Sequence, residues 1–202
     1  RCQGRDSPRS DAELILSFLL GKERSFFYAH GDEVLNSNQL EDYWKLIKWR
    51  GAGEPLAYLT GQKEFMGISF YVEEGVLIPR PETEHLVEFV MKWLKKNYPA
   101  AKDGAGLKVL DLGTGCGNIA VSLACYLPAV RVVALDSDEH ALRIATVNGQ
   151  RHQVMDRLEF FCGNLQDLFS EQERRFNAIV SNPPYIPTPM LASLPPEVKR
   201  EP

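Results

Sequence analysis

The sequence predicts an α/β fold in which a parallel sheet and its helices follow a small helical domain. From Leu107 onward, short apolar strands alternate with helical segments, which is the pattern of a parallel sheet with right-handed crossovers. The first of these strands leads directly into a glycine-rich turn and a helix. Before them, the chain carries apolar side chains at helical rather than alternating spacing. These observations predict two structurally different parts.

The helical domain is expected over residues 1–61. Apolar side chains three and four positions apart predict a helix over 11–20, with Ser10 as its N-cap. A short helix is expected near 25–30, and a longer one begins at Asn38.

A β-hairpin linker is expected over 62–81. Apolar residues alternate along it, and we place the turn of the hairpin at Glu74-Gly75. The Pro-Arg-Pro stretch at 79–81 imposes an extended backbone at its end.

The remaining domain is expected over 82–202, beginning with a helix over 82–97 and a flexible stretch over 99–106. The predicted strands are 107–112, 131–136, 157–163 and 176–182, and the predicted helices between them are 118–127 and 138–152.

Composition narrows the class of protein. The 202 residues carry a net charge of −4, which weighs against binding nucleic acid through a basic surface. The four cysteines form no CxxC pair and the four histidines no HExxH motif, so we expect no metal site and free thiols in a reducing compartment. No apolar run reaches the roughly 20 residues that span a bilayer. The chain does not begin with Met, and we expect residues to precede it.

A glycine loop follows the first strand and is the first candidate site. Gly113, Gly115 and Gly117 stand at alternate positions, so the backbone can turn sharply and a ligand can lie against it. The Gly-Lys-Ser/Thr of a phosphate-binding loop is absent. The dinucleotide fingerprint would need glycine where Asn118 stands. The spacing after Asp111 is instead the form seen in methyltransferases that use S-adenosylmethionine.

Two side chains after the next strands fit the same ligand. Asp136 ends the second strand, where a carboxylate can accept hydrogen bonds from ribose hydroxyls. This would serve an NAD ribose equally well. Asn164 follows the third strand, where such methyltransferases commonly place a side chain near the adenine.

The most specific motif is Asn182-Pro183-Pro184-Tyr185, directly after the fourth strand. A planar NH2 nitrogen is a poor nucleophile because its lone pair is delocalised. The Asn182 side-chain oxygen and the Pro183 carbonyl can accept its two N–H bonds and turn the lone pair forward, and Tyr185 offers a face for stacking. The motif predicts methylation of adenine N6, guanine N2 or a glutamine amide.

With these motifs, nearly the whole chain resembles the HemK/PrmC family, the N5-glutamine methyltransferases of class-1 peptide-chain release factors. The resemblance implies a Rossmann-like class I S-adenosylmethionine-dependent methyltransferase sheet, in which we expect the four strands in the order 3-2-1-4, counted along the chain from Leu107. The resemblance rests on six segments: DAELIL, GEPLAYLTGQKEFMG, LIPRPETE, DLGTGCG, ALD and SNPPYI.

The resemblance implies roles for the site residues. Asp136 would bind the cofactor ribose, with Asn164 and Leu165 near the adenine, although the family commonly has an acid and sometimes an aromatic there. Asn182 would contact both cofactor and substrate, and Pro184 would complete the substrate pocket with its neighbours. Arg80 and Glu82 would be structural or close to the cofactor. The residues expected to line the methionine part of the cofactor are Gly113, Thr114, Gly115, Cys116 and Gly117.

The resemblance also implies a partner. The helical domain would dock a release factor so that its Gly-Gly-Gln loop reaches the pocket, in the cytoplasm or an organelle matrix, with the enzyme a monomer that binds neither membrane nor nucleic acid. Family members continue with further strands, so we expect this chain to be partial. The alternatives are an RNA or DNA amino-group methyltransferase, a non-catalytic binding fragment and, more remotely, an NAD-dependent oxidoreductase.

Overall fold

A computed structural model describes residues 8–170, 175–183 and 193–202. The described residues group into two compact units. One contains residues up to 61 together with 193–200, and the other contains the chain from 62 together with 201–202. Each unit is internally packed, and the site of interest lies in the second.

The first unit is helical, as predicted, with one helix more than expected. Asn36 caps the longest of these helices, because its side chain accepts from the backbone N–H of Gln39 while the Gln39 side chain accepts from the backbone N–H of Asn36. Ser10 lies inside the first helix, so its prediction as an N-cap was wrong. The four helices are α1 (Pro8–Leu20), α2 (Arg24–Ala29), α3 (Ser37–Gly51) and α4 (Leu56–Thr60).

A buried arginine connects distant parts of this unit. The Arg50 guanidinium donates to Asp11 at 2.7 Å, to the Glu54 carbonyl at 3.0 Å and to Glu197 at 2.6 Å. Because buried charge is costly unless it is paired, these three acceptors explain how Arg50 is accommodated. They also attach the 193–200 segment to the helices.

The second unit opens with an antiparallel hairpin of β1 (Gln62–Phe65) and β2 (Ile68–Tyr71). Its turn lies at Met66-Gly67, so the expected turn at Glu74-Gly75 was wrong. Both turn residues have positive φ, 53° and 72°, as a two-residue hairpin of the right twist requires. Met66 is held there by tertiary bonds, since its N–H donates to Glu84 at 2.8 Å and its carbonyl accepts from the Tyr126 hydroxyl.

The main sheet is parallel, and within the described residues it has the order β5-β4-β3-β6. This is the predicted 3-2-1-4 order. The stretch expected to be a flexible linker contains a short 3-10 turn at Lys102–Gly104, where the Asp103 carbonyl accepts from the N–H of Ala129. The strands are β3 (Lys108–Leu112), β4 (Arg131–Asp136), β5 (Leu158–Cys162) and β6 (Ala178–Ser181).

Helices cover both faces of this sheet. On one face, Val109, Val132 and Val180 belong to a core that includes α5 and α6. On the other face, Leu110 and Val133 pack with α8, a helix that sequence reasoning missed. The helices are α5 (Pro81–Asn97), α6 (Asn118–Tyr126), α7 (Glu139–Arg151) and α8 (Leu165–Ser170).

Among the described residues, no helix is both long and apolar enough to cross a bilayer.

A buried amide links the hairpin to both α7 and the glycine loop. The Asn148 side chain in α7 accepts from the N–H of Tyr71 at 2.7 Å and donates to the Tyr71 carbonyl at 2.9 Å. Its amide nitrogen also donates to the Cys116 carbonyl in the glycine loop at 2.8 Å. Asn148 is completely buried, so no solvent replaces these partners.

We expect Asn148→Leu to lower the free energy of unfolding by about 3 kcal/mol or more, because it leaves up to three buried backbone groups without partners. Urea denaturation monitored by circular dichroism measures this. The matched control is Asn97→Leu, since Asn97 is exposed on α5 and donates only to the Trp93 carbonyl. A loss no larger than that of the control would contradict the role assigned to Asn148.

Candidate active site

The glycine loop begins at a buried carboxylate. Asp111 lies in β3 with no exposed surface. Its Oδ2 accepts from the Thr114 hydroxyl at 2.7 Å and from the Ala120 N–H at 3.2 Å. The strand, the loop and the first turn of α6 are therefore fixed to one another. Its Oδ1 is buried and has no hydrogen-bond partner among the described residues.

Burial raises the pKa of Asp111 from 3.8 to about 7. The two hydrogen bonds from Thr114 and Ala120 act in the opposite direction, and the Asp136 carboxylate adds a smaller upward effect. Loss of solvent outweighs the hydrogen bonds because neither carboxylate oxygen of Asp111 is exposed to water, and burial disfavours the charged form.

A second carboxylate holds the loop from the neighbouring strand. Asp136 ends β4, and its Oδ2 accepts from the Gly115 N–H at 2.8 Å. Its Oδ1 accepts from the N–H of Asp138 at 3.1 Å. The Leu135 carbonyl accepts from the N–H groups of Gly113 and Thr114 at 2.8 and 3.0 Å. Asp136, which the sequence predicts to bind the cofactor ribose, thus also holds the glycine loop that precedes it in the chain.

Two kinds of glycine occur in this loop. A Cβ on Gly117 would lie 2.9 Å from the Cβ of Ala145, so this glycine allows α6 to approach α7. A Cβ on Gly113 or Gly115 would meet nothing within 4 Å. Both have positive φ, and they leave an open surface beside the backbone that a ligand can occupy.

Asn182 follows β6 and lines the same pocket as the glycine loop. The Ser181 hydroxyl fixes the end of the strand by donating to the Leu112 carbonyl at 2.7 Å. The Asn182 amide nitrogen donates to the Thr83 hydroxyl at 3.3 Å. The pocket is lined by Leu77, Pro79, Arg80, Thr83, Gly113, Thr114, Gly115, Cys116, Asn118, Ile119 and Asn182.

Of the remaining residues of the motif, the structure describes Pro183. Pro183 is exposed directly after Asn182. Pro184 and Tyr185 lie outside the described residues, so their predicted roles as substrate contacts stay predictions.

The predicted adenine contacts have a local structural role. The Asn164 side-chain oxygen accepts from the N–H groups of Gln166 and Asp167 at 2.8 and 3.0 Å, which is the geometry of a helix N-cap. Asn164 and Leu165 are both exposed. The cap accounts for Asn164 without a ligand, and the contact of these two residues with adenine remains a prediction.

Cys116 lines the pocket with an unreactive thiol. Its side chain is buried, and burial raises the pKa of the thiol to about 12. A thiol in this state is neither a nucleophile nor a metal ligand at neutral pH. No group of three or more His, Cys, Asp or Glu side chains that could hold a metal ion occurs among the described residues.

Sequence reasoning missed Thr83 and Asn148 and left Arg80 without a firm role. In the structure Arg80 lines the pocket and pairs with the buried Glu201 carboxylate at 2.5 Å. The second oxygen of Glu201 accepts from the Ile78 N–H at 3.0 Å. The position of Arg80 between two prolines was a sequence signal for an ion pair. Its partner Glu201 lies 121 residues away and belongs to no motif, so the sequence did not identify it.

Comparison with known proteins assigns the two parts of the chain separately. Residues 1–61 match the family model described as the PrmC N-terminal domain, and residues 87–189 match the methyltransferase small domain. The release factor glutamine methyltransferase of Moorella thermoacetica is 39% identical over 201 residues, which cover 98% of this chain and 67% of that protein. The chain belongs to this methyltransferase family.

Another family member aligns over most of this chain. The release factor glutamine methyltransferase of Coxiella burnetii is 41% identical over 181 residues, covering 90% of this chain and 62% of that protein. The chain therefore spans about two thirds of the length of its curated relatives. A solved S-adenosylmethionine-dependent methyltransferase from Agrobacterium tumefaciens is 22% identical with a TM-score of 0.45, covering 60% of this chain and 39% of that one.

The pKa of Asp111 gives a testable pH dependence. Between pH 3.8 and about 7 the folded protein holds a proton that the unfolded chain has lost, so this group makes stability fall as pH rises through that window. The change is up to about 4 kcal/mol, at about 1.4 kcal/mol per pH unit. Above pH 7 this group contributes no further change.

Asp111→Asn removes the titration and keeps an oxygen for Thr114 and Ala120, so we expect it to flatten the stability profile between pH 4 and pH 8. Urea midpoints across this range measure the effect, with exposed Asp32→Asn as the matched control. Parallel profiles for Asp111→Asn and the unsubstituted protein would show that Asp111 does not titrate in this window.

Proposed function

We propose that this protein transfers a methyl group from S-adenosylmethionine to the side-chain nitrogen of the glutamine in the Gly-Gly-Gln loop of class-1 peptide-chain release factors. One observation carries the proposal: the Asn182 side chain and the glycine loop line the same pocket. Membership of the family named for this reaction supports it. A monomer acting in the cytoplasm or an organelle matrix, without nucleic acid, is part of the proposal.

The pocket suits the proposed cofactor. S-adenosylmethionine, when bound, supplies a methyl carbon on a sulfonium, which a nitrogen lone pair can attack in line. The open side of Gly113 and Gly115 leaves room for its methionine part against the backbone. Each Asp136 oxygen accepts one backbone N–H and keeps a further lone pair for a ribose hydroxyl. The loop has a carboxylate beside it and no lysine, which suits a ligand without phosphate.

The chain's own groups would activate the acceptor nitrogen. Asn182 uses its amide nitrogen toward Thr83, so its oxygen is available to accept an N–H of the substrate amide. The Pro183 carbonyl would accept the other N–H, held by the proline ring on either side of it. Two acceptors aimed at one NH2 group turn its lone pair out of the amide plane. A general base is unnecessary at this step, because the proton can leave after the methyl group has been transferred.

Labelled S-adenosylmethionine identifies the acceptor. It is supplied to the full-length protein and to the 202-residue chain, with purified class-1 release factor in one reaction and RNA in another. We expect label in the glutamine of the release factor, located by mass spectrometry of the Gly-Gly-Gln peptide. Label in RNA alone would overturn the proposal in favour of a nucleic-acid methyltransferase. Cofactor binding without label in either acceptor would favour a non-catalytic binding protein.

We expect Asn182→Ala to lower turnover at least about 100-fold, since loss of one preorganised hydrogen bond to the reacting group typically costs roughly 2.7–4 kcal/mol of barrier. Cofactor affinity, measured by calorimetry with S-adenosylmethionine, should change little. Asn97→Ala, on the exposed end of α5, is the matched control. Near-normal turnover of Asn182→Ala would remove Asn182 from the mechanism.

A further inference from the structure

The contact between Thr83 and Asn182 has a consequence for the chemistry of the pocket. The two residues are 99 positions apart, and the Asn182 Nδ2 donates to the Thr83 Oγ at 3.3 Å. Thr83 is only 7% exposed, although both residues line the pocket beside Gly113. This bond therefore forms at the edge of the space where the acceptor nitrogen is proposed to react.

A carboxamide has two chemically opposite ends. Its oxygen only accepts hydrogen bonds and its nitrogen only donates them. A half-turn about the last side-chain torsion exchanges the two ends with little change in shape, and that torsion is broad and roughly two-fold in energy. Asn182 presents an acceptor to a substrate NH2 in one orientation and a competing donor in the other.

Thr83 is itself held in place. It lies in the first turn of α5, where its N–H donates to the Arg80 carbonyl at 3.0 Å. Arg80 is in turn paired with Glu201, which also accepts from the Ile78 N–H. The branched Thr83 side chain has few rotamers in a helix, which limits the positions that its hydroxyl can take relative to the pocket.

We propose that Thr83 is a positioning residue that holds the Asn182 carboxamide at the edge of the pocket. In the observed orientation the carboxamide nitrogen faces Thr83, and the oxygen is available to the acceptor NH2. Because a hydroxyl can donate as well as accept, this bond sets the position of the Asn182 side chain. The inference rests on the proposed function, because it assumes that Asn182 accepts from the reacting nitrogen. In this proposal Thr83 acts through its hydrogen bond to Asn182.

The test compares Thr83→Val and Thr83→Ser in the full-length protein. Valine keeps the shape of threonine and removes the hydroxyl, so we expect kcat to fall about 10- to 100-fold, the usual effect of a misoriented catalytic group. KM for the acceptor should change less than about 3-fold, because the lost interaction is realised in the transition state. Serine keeps the hydroxyl and should restore at least about a third of kcat.

A double-mutant cycle separates positioning from a structural role. If Thr83 acts through Asn182, adding Thr83→Val to Asn182→Ala should lower kcat less than about 2-fold further. Full multiplication of the two effects would overturn the inference. So would a Thr83→Val protein with normal kcat, or a Thr83→Ser protein as impaired as Thr83→Val.

The matched control is Thr146→Val. Its hydroxyl donates to the Leu142 carbonyl at 2.8 Å within α7, so it loses a helical threonine hydroxyl outside the pocket and should keep normal kcat. Thermal unfolding and calorimetric binding of S-adenosylmethionine should not distinguish Thr83→Val from this control. All kinetics are measured on whichever acceptor the unsubstituted protein methylates, so RNA methylation would refute the proposed function and still decide the role of Thr83.

Discussion

The parallel pairing of β3 with both β4 and β6 is the constraint on which the rest of the site depends. It brings the carboxyl ends of three strands to one edge, and each end delivers a polar side chain there: Asp111, Asp136 and Asn182. Residues more than 70 positions apart in the chain thereby become neighbours. Since this edge is where open α/β sheets bind ligands, the sheet places the glycine loop and the proposed acceptor site before any individual contact is made.

Two carboxylates help to hold the loop between β3 and α6. Asp136 and the Leu135 carbonyl accept its N–H groups from the β4 side, and Asp111 ties it to the helix that follows. The glycines that open its ligand-facing side provide no side-chain contacts of their own. A backbone that is both open and rigid needs such polar supports. The high pKa of Asp111 is the cost of placing one of them in a completely buried position.

Local sequence patterns were sufficient to predict most of the helices and strands. Strand and helix periodicity predicted the strands and the main helices, because apolar strands and amphipathic helices differ in period. The strand order was predicted from the family resemblance. The hairpin turn was misplaced because Met66 adopts a left-handed conformation that only its bonds to Glu84 and Tyr126 explain. Such tertiary contacts override local propensity and leave no signal in a single sequence.

The candidate site also contains both residues that the sequence predicts and residues that it does not. Glycine spacing and the Asn-Pro-Pro-Tyr motif were enough to propose the residues at the strand ends, since each motif is continuous in sequence. Thr83 and Asn148 were missed because each makes its decisive bond to a residue 77 or 99 positions away. A threonine in a first helical turn and an asparagine inside a helix are ordinary in sequence. Only the hydrogen-bond partners seen in the structure distinguish these two residues from others of their type.

The Arg50 cluster has a consequence for how the helical unit is assembled during synthesis. Arg50 pairs with Glu197, which lies 147 positions later in the chain, and Arg200 pairs with Glu54 at 3.0 Å. Chains emerge from the ribosome N-terminus first, so the four helices are exposed long before the segment that completes their packing exists. The buried guanidinium must then remain hydrated or only half-paired while the sheet domain is being made. The segment 193–200 is translated after the sheet domain and completes the packing of the helical unit, which is translated first. The helical unit therefore reaches its final form late in synthesis.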